Sequence, residues 1–203
     1  MKTYRFTTPL TSEIENLRIG DVVYITGTMV TARDQVHKRV VVENRRPPID
    51  MQGLVLFHAG PIVRREDKEY KITSIGPTTS MRMEPYEDVF IAKTGVKMIV
   101  GKGFMGERTA KACRKYGVVV TMFPGGCGAL GARAVKRVIN VYWIELGVPE
   151  ALWVLEVKDF GPLIVTIDSK GRNMLSEYKY RFLKTRKIID ELIRGINAIL
   201  QGI

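Results

Sequence analysis

The sequence predicts an α/β protein: one domain in which β-strands precede and surround a β–α–β middle, followed by a long helix. Three observations predict it. Strand-sized apolar runs such as "GVVVTMF" and "LIVTI" recur along the chain. From Pro85 onward they alternate with helix-like segments that stop at glycines. From Asn173 to Leu200 apolar residues then return every three or four positions. The division expected is residues 1–172 as the domain and 173–203 as a C-terminal helix that packs on the domain or on a partner.

Taken in order, "TYRFTTPL" and "DVVYITGTMVTA" alternate as strands do. "EIENLRIGD" between them suits a turn or a short helical segment. "DQVHKRVVVEN" is a helix candidate with Asp34 as N-cap and Pro47–Pro48 as its stop. "GLVLFHAGPIV" and "YKITSIGP" are two further strands, each closed by Gly–Pro. "PYEDVFIAKTG" is helical, ending at Gly95, and "VKMIVG" is a short buried strand. "GERTAKACRKYG" is a helix ending at Gly117, followed by the strand "VVVTMF". "ALGARAVKRVI" is expected as a helix and "VYWIEL" as a strand. "ALWVLEVKDF" and "LIVTIDSKG" are expected as two strands paired with each other. In the last helix Leu175, Tyr178, Phe182, Ile189, Leu192, Ile196 and Leu200 form the apolar stripe.

Composition narrows the function classes. The 203 residues suffice to bury a proper core, and no apolar run approaches the ~20 residues of a membrane span. The start "MKTYRFTTPL" lacks a signal-peptide apolar region, so a cytoplasmic protein is expected. Two cysteines, Cys113 and Cys127, are too few for a disulfide framework or for an iron–sulfur cluster held by this chain alone. The net charge of +11 admits three partners: nucleic acid, an acidic subunit, or a small anionic substrate. The densest basic groups lie at 37–46 and 178–187, without the aromatic signature of an RNA-binding sheet or the spacing of a zinc finger.

Several loops carry candidate chemistry. "GKGFMG" at 101–106 matches the dinucleotide fingerprint, but "VVVTMFPGG" downstream has no acid for a ribose. What remains is an anion at a helix N-terminus beside Lys102, or a plain strand–helix turn. Cys127 in "FPGGCGAL" stands at another such turn, with no base nearby in sequence, and Cys113 lies inside a helix. "TARDQVHKR" sets Arg33 at a strand end and His37 four positions on, a candidate acid or base or a structural histidine. His58 in "LFHAGP" has the same two readings. "IGPTTSMRMEP" offers Thr78, Thr79 and Arg82 but no His or carboxylate before Glu84. Arginine's planar fork suits a carboxylate, so Arg33 and Arg82 with Lys102 would receive a small dicarboxylate.

Together "TARDQVHKR", "LFHAGP", "GPTTSMRM", "GKG" after "MIV", and "YWIELGVPEALWVLEVKDFGPLIVTIDSKGRN", in that order, resemble the β subunit or C-terminal domain of class I fumarate hydratases and L-tartrate dehydratases. The resemblance runs from about Leu17 to Asn173 and leaves out the last helix. It implies a swivelling β/β/α domain and a hydro-lyase reaction: fumarate with malate, or tartrate to oxaloacetate. It implies a 4Fe–4S cluster bound by a partner α subunit, and none bound by this chain. The assembly implied is a heteromer; a homodimer is the alternative for the chain in isolation. Neither a membrane nor a nucleic acid is expected as partner, although a basic nucleic-acid-binding protein remains the rival reading from another class.

By the same resemblance, Arg33 and Arg82 hold substrate carboxylates, Thr78 is the catalytic base and Lys102 stands beside it. Ser80–Met81 replaces the Ala-Gly of many fumarases before Arg82, which leaves fumarate against tartrate open. "GKGFMGERT" and "GGCGAL" also depart from the bacterial "KGNRS" and "GGPAA".

Overall fold

Side chains of the apolar runs alternate between two buried clusters, and this alternation builds the fold. The computed structural model describes the backbone of residues 1–66 and 69–201. Its strands are β1 (Thr3–Thr7), β2 (Val22–Thr31), β3 (Val55–Phe57), β4 (Ala59–Glu66), β5 (Glu69–Pro77), β6 (Met98–Gly101), β7 (Val119–Met122), β8 (Val135–Tyr142) and β9 (Leu152–Ile167). Its helices are α1 (Asp34–Val41), α2 (Glu84–Thr94), α3 (Glu107–Tyr116), α4 (Gly128–Ala134) and α5 (Met174–Gln201).

β2, β3, β6 and β7 lie side by side and parallel. β9 runs antiparallel to both β7 and β2, closing the five strands into a small barrel. β1 extends β2, β8 extends β9, and β4–β5 form a separate two-stranded sheet. Because strand side chains alternate, successive residues serve opposite faces. Val55, Phe57, Met98, Val100 and Val119 join the cluster with Ile25, Phe160 and Val165. Leu56, Ile99 and Val120 join the other, with Val36 and Val40 of α1, Phe90 and Ile91 of α2, and Ala110 and Cys113 of α3. Both faces being buried explains why these strands read as unbroken apolar runs. Each fully buried large side chain contributes about 1.5–3 kcal/mol relative to exposure.

The glycine stops are borne out: Gly95 and Gly117 cap α2 and α3 in the left-handed region, at φ 70° and 65°. Other expectations need correction. Residues 129–139 are not one helix. α4 ends at Ala134, and "VKRVINVY" pairs antiparallel with β9, where its β-branched residues gain a ladder. "VYWIEL" is strand only to Tyr142; Trp143 turns left-handed at φ 58° into a 3₁₀ turn at Ile144–Leu146. "ALWVLEVKDF" and "LIVTIDSKG" are not paired with each other. They belong to one 16-residue strand: β2 pairs with it from Val154 to Ile164, β8 with its first half and β7 with its second. "GLVLFHAGPIV" breaks at His58, sending β3 and β4 into different sheets. The helix from Asp34 has Arg33 at the N-cap, Asp34 as its first residue, and ends at Val41, before Pro47.

The chain divides into two units, Met1–Asn173 and Met174–Ile203. The second is the helix α5. Along it Phe182, Ile189, Leu192 and Ile196 are between 48% and 65% exposed. The Leu200 side chain lies outside the described residues. No described helix is long and apolar enough to cross a membrane.

Candidate active site

The carboxyl ends of parallel strands are where α/β sheets place ligand-binding loops, because the strand directions converge there and helix N-termini begin there. In this chain β2 runs out into Arg33, β3 into His58 and β6 into Lys102. The Thr78–Arg82 loop, leaving β5, is laced to the same edge. Thr78 N–H donates to the His58 carbonyl at 2.7 Å, and Ser80 N–H to the Lys102 carbonyl at 3.1 Å. Lys102 N–H donates back to Ser80 Oγ at 3.1 Å, and Thr79 bridges to Lys102 as in a parallel ladder.

The structure therefore brings Thr78, Arg82 and Lys102 into one neighbourhood. Arg82 grips the Asp34 carboxylate through Nε at 3.2 Å and Nη2 at 2.9 Å, and Nη2 also donates to Thr78 Oγ1 at 2.9 Å. Burial raises the Asp34 carboxyl, but the hydrogen bond and charge of Arg82 outweigh it and hold the group below its ordinary range. Arg33, next in sequence to Asp34, pairs with Glu150 at 3.0 Å. Lys102 is exposed, and its stem passes Gly125, where a Cβ would stand 3.1 Å from Lys102 Cδ. A cavity of about 820 Å3 between β5 and β8, lined by Tyr70, Ile72, Arg137 and Asn140, holds none of these residues. The site is an open edge of this chain.

His37 requires a correction. It is fully buried, so it does not reach a substrate on that edge. Its Nε2 lies 3.3 Å from Glu87 Oε2, and His58 Nε2 lies 3.1 Å from the same oxygen; all three side chains are 0% exposed. His37 Nδ1 faces the Arg33 carbonyl at 2.8 Å and His58 Nδ1 faces Ser80 Oγ at 3.0 Å. Burial alone would raise the Glu87 carboxyl, but the charges and hydrogen bonds of His58 and His37 outweigh it and bring it down to about 2. For His58, burial wins over the Glu87 charge and pushes the imidazole below its ordinary range. These three residues are also the described group whose donor atoms converge as metal ligands do, within 4.8 Å of one another.

The "GKGFMG" loop is likewise corrected. The N-terminus of α3 receives no external anion, because Glu84 fills it. Glu84 accepts from the N–H groups of Gly106 at 2.7 Å, Arg108 at 3.1 Å and Thr109 at 3.2 Å, and from the Thr109 hydroxyl. Gly101 is required for another reason: a Cβ there would overlap Ser80 Oγ and stand 3.3 Å from His58 Nδ1. Gly101→Ala is expected to cost about 1–3 kcal/mol through this overlap, read as a lower denaturant midpoint. An unchanged midpoint would mean the Ser80–His58 contact has room to move.

The cysteines do not fit the role of cluster ligands. There are two where a cluster takes three or four, and burial, reinforced by Glu87, pushes the Cys113 thiol well up, away from the thiolate a metal needs. Sequence reasoning missed Glu87 and Glu150, and noted Ser80 only as a departure before Arg82, not as a partner of His58 and Lys102. Glu150 lies over 100 positions from its partner and leaves no local trace. Glu87 did leave one: with Met83, Phe90, Ile91 and Thr94 it shares the spacing of a buried helix face, an odd place for a carboxylate.

With this geometry in view, the comparisons have a clear bearing. The chain is 47% identical to an L(+)-tartrate dehydratase β subunit of Escherichia coli K12 over 195 residues, 95% of this chain and 97% of that one. It is 44% identical over 178 residues to a Methanocaldococcus jannaschii protein provisionally named a tartrate dehydratase β subunit, covering 86% and 91%. It is 38% identical over 168 residues to a Geobacillus stearothermophilus protein provisionally named a class I fumarate hydratase, covering 82% of this chain and 32% of that protein. The model of one family, described as the fumarase C-terminus, matches residues 5–178, taking in every strand end that carries the site, and the chain belongs to that family.

Proposed function

We propose that this chain is the β subunit of a hydro-lyase acting on a C4 dicarboxylate, hydrating fumarate reversibly to malate, and that it completes the site of an α subunit holding a 4Fe–4S cluster. The observation that carries the proposal is the Arg82–Thr78 contact at 2.9 Å beside Lys102, on the edge where Arg33 also ends its strand. Removing water from malate needs a proton taken from the carbon beside a carboxylate. Thr78 is the base in this reading, Lys102 supports the charge that develops, and Arg33 and Arg82 hold the two carboxylates. A neutral hydroxyl is a poor base, but a guanidinium donating to Oγ1 stabilises its oxyanion. Acceptance of the hydroxide lies outside this chain's residues and falls to the partner.

The same proposal takes the barrel with its helices as the swivelling β/β/α domain. It places the protein in the cytoplasm and leaves the exposed apolar residues of α5 for packing against the domain or the α subunit. L-Tartrate to oxaloacetate is the second reading, favoured by the identity to tartrate dehydratase β subunits over nearly their whole length. Co-expression with the α subunit, anaerobic reconstitution of iron, and assay of malate and tartrate side by side tests both. Turnover of neither acid rejects the proposal. In the active complex Arg82→Ala is expected to raise KM about 10–100-fold with a smaller change in kcat, since a charge-assisted clamp contributes about 1.5–3 kcal/mol. An unchanged KM would remove Arg82 from the clamp.

A further inference from the structure

Glu87 is a carboxylate with no solvent exposure and no place on the substrate edge, yet it touches two histidines whose other nitrogens reach the site loops. The directions of these bonds follow from the donors present. The Arg33 carbonyl only accepts, so His37 Nδ1 carries a proton. His37 Nε2 stands 3.3 Å from Glu87 Oε2, where a proton between the two atoms turns a repulsion of lone pairs into an attraction. His58 Nε2 likewise lies 3.1 Å from that oxygen, where the carboxylate charge favours the proton on Nε2 and leaves Nδ1 bare, although the ring N–H is not aimed along a regular hydrogen bond. Ser80 O–H then donates to His58 Nδ1, and Ser80 Oγ accepts the Lys102 N–H. The opposite tautomer of His58 would set a lone pair against the carboxylate.

The result is one buried chain: Arg33 C=O, His37, Glu87, His58, Ser80, Lys102 N–H. It joins the turn after β2, the end of β3, the Thr78–Arg82 loop and the end of β6. Apart from the local Arg33–His37 contact, these contacts span 22 to 50 positions of sequence, so nothing local would hold the segments at a common spacing. We propose that Glu87 is the positioning residue of this site: by holding both imidazoles it sets Arg33, Thr78 and Lys102 at the spacing the reaction needs. The inference rests on the site roles proposed above.

The test uses the reconstituted two-subunit complex with Glu87→Gln, Glu87→Ala and Ser80→Ala, read as kcat, KM and Tm. Glutamine keeps the size and shape without the charge: with its carbonyl oxygen in the place of Oε2, it faces both His58 Nε2–H and His37 Nε2–H as an acceptor. Glu87→Gln is therefore expected to stay within about 5-fold of wild-type kcat, while Glu87→Ala loses about 100-fold, the scale of a 1 Å misplacement. KM for malate is expected to change less than kcat. A folded Glu87→Ala complex with wild-type kcat, or a glutamine variant as poor as the alanine one, overturns the proposal. If Glu87→Ala does not fold, Ser80→Ala decides: a kcat loss of about 10-fold with little change in Tm supports it, and unchanged kcat overturns it.

A wild-type complex inactive on both acids would reject the functional reading alone. The chain of bonds is then read from 15N imidazole signals of the full β chain. His58 protonated on Nε2 and His37 on Nδ1 support it, and His58 protonated on Nδ1 overturns it. One equivalent of zinc in the purified chain, lost in Glu87→Ala, also overturns it, because the same three atoms would then be metal ligands.

Discussion

Lys102→Ala is expected to lower kcat of the reconstituted complex by about 10²–10³-fold, the loss typical when one preorganised group facing developing charge is removed. Tm should stay within a few degrees. The reason lies in how the residue is held. Its backbone exchanges two hydrogen bonds with Ser80, through N–H at 3.1 Å and C=O at 3.1 Å, and neither involves the ammonium. The side chain is exposed and free of any core. Truncation thus removes a charge and leaves the loop in place. Lys102→Arg is not expected to restore the rate, since the stem runs past Gly125 and a planar fork at its end differs in shape from a compact ammonium. Retention of more than about a third of wild-type kcat by the alanine variant would sink the role, since the stated loss is at least ~10²-fold.

Thr78→Ala is the second large effect, a kcat loss of about 10²–10⁴-fold, the range contributed by a positioned acid or base. Thr78→Ser keeps the hydroxyl and is expected within about 10-fold of wild type, the difference reflecting a freer χ1. The backbone N–H to the His58 carbonyl, at 2.7 Å, survives both changes, so the loop keeps its anchor. The pair of variants separates chemistry from packing. Equal losses in serine and alanine would assign the effect to the methyl group and remove Thr78 as base. Wild-type turnover in the alanine variant would do so directly. The Arg82 donor adds a check: Arg82→Ala should also lower kcat to a smaller degree, since it removes the cation that stabilises the Thr78 oxyanion.

Much of the fold is legible in local pattern. Apolar runs of strand length, the Gly95 and Gly117 stops and the β–α–β alternation after Pro85 follow from propensity and backbone sterics, which act over a few residues. The failures share one cause. "VKRVINVY" follows the Ala-rich "ALGARA" and has Lys and Arg at its start, so the run looks helical, and only the free edge of β9 makes it a strand. Gly161–Pro162 looks like a turn, yet the strand continues through it because β2 pairs with it on both sides, at Phe160 and at Leu163 and Ile164, and β7 adds a second partner beyond it. Pairing energy from residues far away in sequence outweighed the local preference.

The sequence by itself determined the chemistry on offer: arginines, a lysine and a threonine on Gly- and Pro-rich loops after strands, with too few cysteines for a cluster. It also determined the family, because those motifs stand in one order along the chain. The tertiary structure alone decided which groups meet. It set Arg82 on Asp34 across 48 positions, filled the α3 N-terminus with Glu84 from 22 positions away, and buried His37 with Glu87 behind the site rather than in it. Hydrogen-bond and ion-pair partners at such separations impose no periodicity and no local propensity, so only closure of the barrel, which brings the strand ends to one edge, could reveal them.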